Sequence, residues 1–157
     1  MQKPLTEKRL ENITLYYLER FDASSGKVRQ MLKRRVQKQK LAGLPIDKNM
    51  NQWIEATIQK MQNLGYVNDE RYAENVIHRL TQSGKSTRFI AQKLLSEGID
   101  EAILEKHLSS EDELERAQTF ARKKHLGNDY SKDLAKLARA GFSYDIATQV
   151  LKGEDDV

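Results

Sequence analysis

The sequence predicts an all-α protein, and three observations lead to that prediction. Only two prolines, Pro4 and Pro45, occur in 157 residues, so few positions interrupt helical hydrogen bonding. Apolar residues recur every three or four positions in nine segments, which is the spacing of one buried helix face. Glycine, serine and asparagine, which favour helix ends, separate these segments. We therefore expect nine amphipathic helices and no β-sheet.

Three helices are predicted in the first part of the chain, over about residues 6–21, about 25–41 and 48–64. Ser24 or Ser25 caps the second helix, because a serine hydroxyl accepts a hydrogen bond from a free N–H of the first turn. Gly65 takes the left-handed conformation that ends the third helix.

Six shorter amphipathic segments follow, and polar caps and glycines separate them. The seventh helix of the chain is predicted from Glu111. Asn68 caps the fourth helix and Ser86 the fifth, since both residues precede an apolar helical pattern. Gly84 ends the fourth helix, Gly98 opens a tight turn into a short sixth helix, and Gly141 separates the eighth helix from the ninth.

An internal repeat of 43 residues relates the last two thirds of the chain. Leu94, Gly98, Ile99, Ile103 and Leu108 fall on Leu137, Gly141, Phe142, Ile146 and Leu151. We expect three tandem three-helix modules at 1–64, with an enlarged connection at 41–50, at 65–109, and at 110–157, which ends in an acidic tail. Because each module contacts mainly its neighbours, the modules should form an elongated, curved array.

The distribution of charge favours an anionic partner. Residues 1–98 hold 18 Lys and Arg against 10 Asp and Glu, whereas residues 99–157 hold 9 against 13. A basic first half suits a polyanion or an acidic protein surface, although lysine and arginine also simply solvate helices. The chain has no cysteine and no long apolar segment, so we expect a cytoplasmic protein without a membrane span.

The sequence does not predict an enzyme, a metal site or a cofactor. His78, His107 and His125 are 29 and 18 residues apart and form no pair at helical ligand spacing. Asp69 and Glu70 are adjacent on a helix and point in different directions, so helix capping accounts for them better than general acid and base catalysis.

The densest basic segment is the predicted second helix, which has seven basic residues in fourteen and no acid. Arg29, Lys33 and Lys40 lie on one flank of its apolar stripe, and Lys27, Arg34 and Lys38 lie on the other, with Arg35 near the stripe itself. This helix would present two rows of cations to phosphates or carboxylates.

Two further basic groups are weaker candidates. Lys85, Arg88 and Lys93 surround the start of the fifth helix, where free N–H groups also favour anions. The group Arg122–His125 lies at a helix C-terminus, where the helix dipole alone explains cations. Four aromatic residues fall mostly on apolar stripes and should pack in the core and not stack on bases: Tyr16, Tyr17, Trp53 and Tyr66.

The residues from Gly65 to Ala73, Gly-Tyr-Val-Asn-Asp-Glu-Arg-Tyr-Ala, resemble a motif of the RecX regulators of the RecA recombinase. Further matching positions are Gly84, Lys85, Ile90, Leu94, Gly98 and Ile99. The closing Gly141–Ile146 also fits, so the resemblance covers about residues 10–152. The chain departs from the pattern at Phe89, where arginine is usual, and at Glu97, where lysine is usual.

This resemblance implies a tandem three-helix protein that binds in the groove of the RecA filament on DNA. Such a monomeric protein would inhibit RecA ATP hydrolysis and strand exchange, act in DNA repair and the SOS response, and bind single- and double-stranded DNA weakly alone. The candidate contact residues are basic: Lys27, Arg29, Lys33, Arg34, Lys38, Arg71, Lys85, Arg88 and Lys93. The alternatives are a sequence-independent nucleic-acid-binding module and a helical scaffold for another acidic protein.

Overall fold

A computed structural model describes residues 3–153 of the chain. In this range the chain forms nine α-helices, one short 3-10 helix (Ser110–Asp112) and no strand, which confirms the all-α prediction. The α-helices are α1 (Glu7–Arg20), α2 (Ser25–Leu41), α3 (Met50–Asn63), α4 (Asp69–Gln82), α5 (Thr87–Ser96), α6 (Glu101–His107), α7 (Glu113–Lys123), α8 (Tyr130–Arg139) and α9 (Tyr144–Lys152). The acidic tail beyond Gly153 lies outside the described residues.

The predicted caps determine where three of the described helices begin, α2, α4 and α5. The Ser24 hydroxyl accepts a hydrogen bond from the Lys27 N–H at 3.1 Å, so Ser24 and not Ser25 caps α2. Asn68 accepts from the Arg71 N–H at 2.9 Å, and Ser86 accepts from the Phe89 N–H at 3.1 Å. These bonds satisfy backbone donors that a helix leaves unpaired in its first turn.

Two helices begin later than the sequence predicts. Asp47 accepts a hydrogen bond from the Asn49 N–H at 2.8 Å, and this side-chain turn delays α3 until Met50. Residues Ser110–Asp112 form a 3-10 turn, so α7 begins at Glu113 and not at Glu111.

The chain divides into two compact units. The first unit contains the chain up to Tyr72 together with Glu97–Ile99. In it α1, α2 and α3 pack on one another around buried apolar side chains: Leu10, Val28, Leu32, Ile54, Ile58 and Met61. Some residues of the predicted apolar faces are solvent-exposed because they lie at helix ends, as Phe21 and Leu64 do.

A close backbone contact in the first unit holds the start of α2. A Cβ atom added to Gly26 would lie 2.4 Å from the Glu97 carbonyl oxygen, which leaves room only for glycine. The Ser24 hydroxyl donates to that same carbonyl at 2.6 Å. The Asp69 carboxylate accepts hydrogen bonds from the Ser25 N–H at 2.7 Å and from its hydroxyl at 2.6 Å. The first turn of α2 is therefore held by two residues that are distant in sequence, Glu97 and Asp69.

The second unit contains Ala73–Ser96 together with the chain from Asp100 onward. Its last three helices, α7, α8 and α9, pack around Ala117, Leu137, Phe142 and Ala147. The Ser86 hydroxyl donates to the Ala140 carbonyl at 2.9 Å, next to Gly141.

The same local arrangement therefore occurs once in each unit. A capping serine donates to the carbonyl that precedes one of the repeat glycines, which are Gly98 and Gly141. The division into three modules and their curved array stay a prediction.

Arg116 is a charged side chain in the interior of the second unit, with 1% of its surface exposed. Its guanidinium donates to the hydroxyls of Thr81 and Thr87 at 3.1 and 2.8 Å and to the Ser109 carbonyl at 2.8 Å. These three acceptors replace the water that a buried cation loses. Arg116 thereby connects α4, the start of α5 and the segment before α7.

Candidate functional site

One flank of α2 forms a basic cavity in the first unit. The cavity has a volume of about 340 Å³ and contains Tyr17 of α1 beside cationic side chains of α2. The cations are Lys27, Arg34, Arg35 and Lys38. No carboxylate occurs among the described residues that line it. We call this cavity and its four cations the α2 face.

The buried side of α2 sets the direction of these cations. Val28 and Leu32 are fully buried, so the helix cannot rotate without exposing them. Lys27, Arg34 and Lys38 then lie beside one another, as the flank prediction expects. The Lys27 ammonium is 5.8 Å from the centroid of the Tyr72 ring, a distance at which the ring attracts a cation.

The opposite flank of α2 is partly neutralised. Arg29 donates two hydrogen bonds to the Glu55 carboxylate of α3, at 2.6 and 2.9 Å. The Arg29 guanidinium lowers the pKa of Glu55 below its usual range, while burial opposes that shift and the Lys33 charge adds to it. The hydrogen bond to Glu55 in turn raises the pKa of Arg29. Arg29 is thus paired with a carboxylate, and Lys33 is exposed outside the cavity.

Arg71 is also exposed, in the first turn of α4, and its guanidinium donates to the Gly65 carbonyl at 3.3 Å. It is not among the described residues that line the α2 face. Glu97, which departs from the sequence pattern described above, is buried and accepts a hydrogen bond from the Tyr72 hydroxyl. Its carboxylate faces the interior.

The second unit holds another basic cavity, of about 520 Å³. The turn before α5 contributes Gly84 and Lys85, and α5 contributes Phe89. The other lining residues lie in α7 and α8 or directly after them: Phe120, Lys124, Lys136, Arg139 and Ala140. A neighbouring cavity of about 230 Å³ contains Arg88 and Gln92 and shares Phe89 and Arg139 with the first. Lys93 is half-buried and is not among the residues described in either lining.

Sequence reasoning missed several of these cations. Lys136 lies 43 residues after Lys93, so the internal repeat could have indicated Lys136 as a candidate. Arg139 lies one helical turn after Lys136. Lys124 directly follows α7 as its C-cap, as the dipole explanation requires, and also lines the cavity. Arg35 is exposed, and it lines the cavity of the α2 face.

The expectation of core packing is wrong for two aromatic residues. Tyr16 is 61% exposed, with the Arg20 guanidinium 3.8 Å from the centroid of its ring. Tyr66 is 54% exposed. Trp53 packs against the first core as expected, and Tyr17 is half-buried beside the α2 face.

No helix within residues 3–153 is long and apolar enough to cross a lipid bilayer.

Comparison with known proteins identifies the family. The family model described as RecX, second three-helix domain, matches residues 68–108. A protein named Regulatory protein RecX, from Myxococcus xanthus, is 38% identical over 90% of this chain and 83% of its own length. The chain belongs to the RecX family. A second Regulatory protein RecX, from Vibrio parahaemolyticus, is 30% identical over 66% of this chain and 72% of its own length.

Solved RecX structures have the same fold. The crystal structure of RecX from Lactobacillus salivarius matches with a TM-score of 0.68 and 26% identity, over 96% of this chain and 97% of that chain. Another crystal structure, of regulatory protein RecX, matches with a TM-score of 0.65 and 18% identity over 94% of this chain and 72% of that chain. RecX is a family of regulatory proteins and not of enzymes, as the resemblance in the sequence implied.

Proposed function

We propose that this chain binds RecA filaments on DNA and inhibits ATP hydrolysis and strand exchange by RecA in the cytoplasm. The observation that carries the proposal is the α2 face, which presents four cations without a described carboxylate, in a chain of the RecX family.

The length of the α2 face suits a polyanion. Lys27 and Lys38 are eleven positions apart on one helix, which corresponds to about 16 Å. One DNA strand carries about five phosphates over that length. Each cation that neutralises a phosphate releases condensed counterions, so binding should weaken as the salt concentration rises.

The test measures RecA ATP hydrolysis on single-stranded DNA at increasing concentrations of this chain. The variant Arg34→Glu with Lys38→Glu reverses two cations of the α2 face, and both side chains are exposed, so folding should be little affected. We expect the concentration needed for half-inhibition to rise about tenfold or more, because two attractive contacts become repulsive.

The matched control is Lys40→Glu with Lys48→Glu. These two lysines are exposed in the same unit, lie outside the α2 face and give the same change in net charge. We expect them to alter half-inhibition less than about threefold. Equal losses in both variants would assign the effect to net charge. Full inhibition by the Arg34→Glu, Lys38→Glu variant would make the α2 face ordinary solvated surface and direct attention to Arg71.

A further inference from the structure

The two basic cavities of the second unit adjoin each other and form one cleft. They share Phe89, Arg139 and Ala140, and their volumes are about 520 and 230 Å³. We infer that this cleft binds single-stranded nucleic acid, with a base stacked on the Phe89 ring and the phosphates held by the surrounding cations.

The aromatic part of the cleft is available to a ligand. The Phe89 side chain is 41% exposed on α5, and the Lys85 ammonium lies 4.9 Å from the centroid of its ring. Phe120 is half-buried and packs on Phe142 with 5.7 Å between ring centroids, which anchors it in the core. An exposed ring beside a fixed apolar floor is the arrangement on which unpaired bases stack.

The charges of the cleft select an anionic polymer. Cations lie on both sides of Phe89: Lys85, Lys124, Lys136 and Arg139 in the larger cavity, and Arg88 with Arg139 in the smaller. No carboxylate occurs among the described residues of either lining. A nucleotide strand supplies one negative charge and one flat ring system in every repeat, whereas an acidic peptide supplies only the charge. The strand must be single, because bases inside a duplex are already stacked.

Backbone contacts form the cleft without a ligand. A Cβ atom added to Gly84 would lie 2.6 Å from the Phe120 nitrogen, so the turn before α5 lies directly against α7. The hydrogen bond from Ser86 to the Ala140 carbonyl attaches the start of α5 to the end of α8. Binding therefore requires little rearrangement, which reduces its entropic cost.

The experiment measures the fluorescence anisotropy of a labelled twelve-nucleotide oligo-dT and of an abasic strand of the same length, without RecA. Phe89→Leu removes the ring but keeps an apolar side chain. We expect it to weaken oligo-dT binding about fivefold or more and to leave abasic binding unchanged. Leu95→Ala is the control, since Leu95 is also exposed on α5 and lies outside the described linings.

Charge reversal tests the phosphate contacts. Lys136→Glu with Arg139→Glu should weaken both strands about tenfold or more and reduce the slope of log affinity against log salt by about 1.4. Lys123→Glu with Lys132→Glu is the matched control, because both lysines are exposed in the same unit outside the described linings. Each variant is also measured in the Arg34→Glu, Lys38→Glu background, so that binding at the α2 face does not mask the result.

Three results would overturn the inference. The first is oligo-dT binding that Phe89→Leu leaves unchanged. The second is a Phe89→Leu variant that loses as much affinity for the abasic strand as for oligo-dT. The third is a parent protein that does not bind oligo-dT at low salt. Displacement of oligo-dT by polyglutamate, with the same dependence on Phe89, would assign the cleft to an acidic protein instead. The RecA proposal is tested separately, because its ATPase measurement depends on Arg34 and Lys38 and not on this cleft.

Discussion

Substitution of Gly26 by alanine should destabilise the first unit, although alanine is the better helix former. The added Cβ atom would lie 2.4 Å from the Glu97 carbonyl oxygen and 2.7 Å from the Gly98 Cα atom. Both are backbone atoms, so no side-chain rotation relieves the overlap. The two backbones must separate by about 1 Å to restore an ordinary contact of about 3.5 Å.

The size of the effect follows from this overlap. Overpacking of this kind costs about 1–3 kcal/mol. Separation also weakens the 2.6 Å hydrogen bond between the Ser24 hydroxyl and the Glu97 carbonyl, which adds about 1 kcal/mol. Alanine returns less than about 1 kcal/mol through its helix propensity. The net loss is about 1–3 kcal/mol, which corresponds to a melting temperature lower by about 2–12 °C in a chain of this length.

Thermal unfolding followed by circular dichroism at the helix band measures this loss, with Gln37→Ala at an exposed position of α2 as the control. Gly98→Ala should also destabilise, because Gly98 has a φ of +82° and its Cβ would lie 2.8 Å from the Gly26 Cα atom. The double variant should cost less than the sum of the two, since one separation relieves both overlaps. A Gly26→Ala protein that melts at or above the parent temperature would refute the close backbone contact.

Two further predictions concern buried and paired charges. Arg116→Ala removes three hydrogen bonds from a fully buried guanidinium and should lower the free energy of unfolding by about 3–5 kcal/mol, measured by urea titration; a loss below about 1 kcal/mol would contradict its role as an anchor. Glu55→Gln should cost less than about 1 kcal/mol at pH 7, because the Glu55 side chain is 56% exposed. Since Arg29 lowers the pKa of Glu55, this contribution is present above the ordinary glutamate pKa of about 4.3 and is lost as the pH falls through the lowered value. Parent and Glu55→Gln melting temperatures should therefore converge in acid, and a difference that persists there would show that packing, and not charge, accounts for it.

Interactions between residues close in sequence were largely predictable. Helix ends at Ser24, Asn68 and Ser86 follow from hydrogen bonds that span only three residues, so the residue type and its position suffice. The apolar stripes follow from the helical period, and the flank of α2 that carries Lys27, Arg34 and Lys38 follows from the same geometry.

The motifs of the RecX family are also local, and the relatives confirm the family that the motifs indicated. What the periodicity could not decide is which exposed positions meet a side chain from another helix. Arg29 is basic and lies on a predicted binding flank, yet Glu55 of α3, 26 residues away, pairs with it. Arg116 has the sequence context of a solvated residue, yet Thr81, Thr87 and the Ser109 carbonyl surround it.

The sequence by itself determined the helices, their caps, the family and the basic character of α2, because each depends on neighbours within a few turns or on a contiguous motif. Only the tertiary structure decided that Phe89, Lys124 and Arg139 meet in one cleft. They come from three helices, and their approach depends on a Gly84 turn that lies against the backbone of α7 and on a serine that bonds to the end of α8. Such contacts arise from the packing of whole helices, and no local pattern of residue types records them.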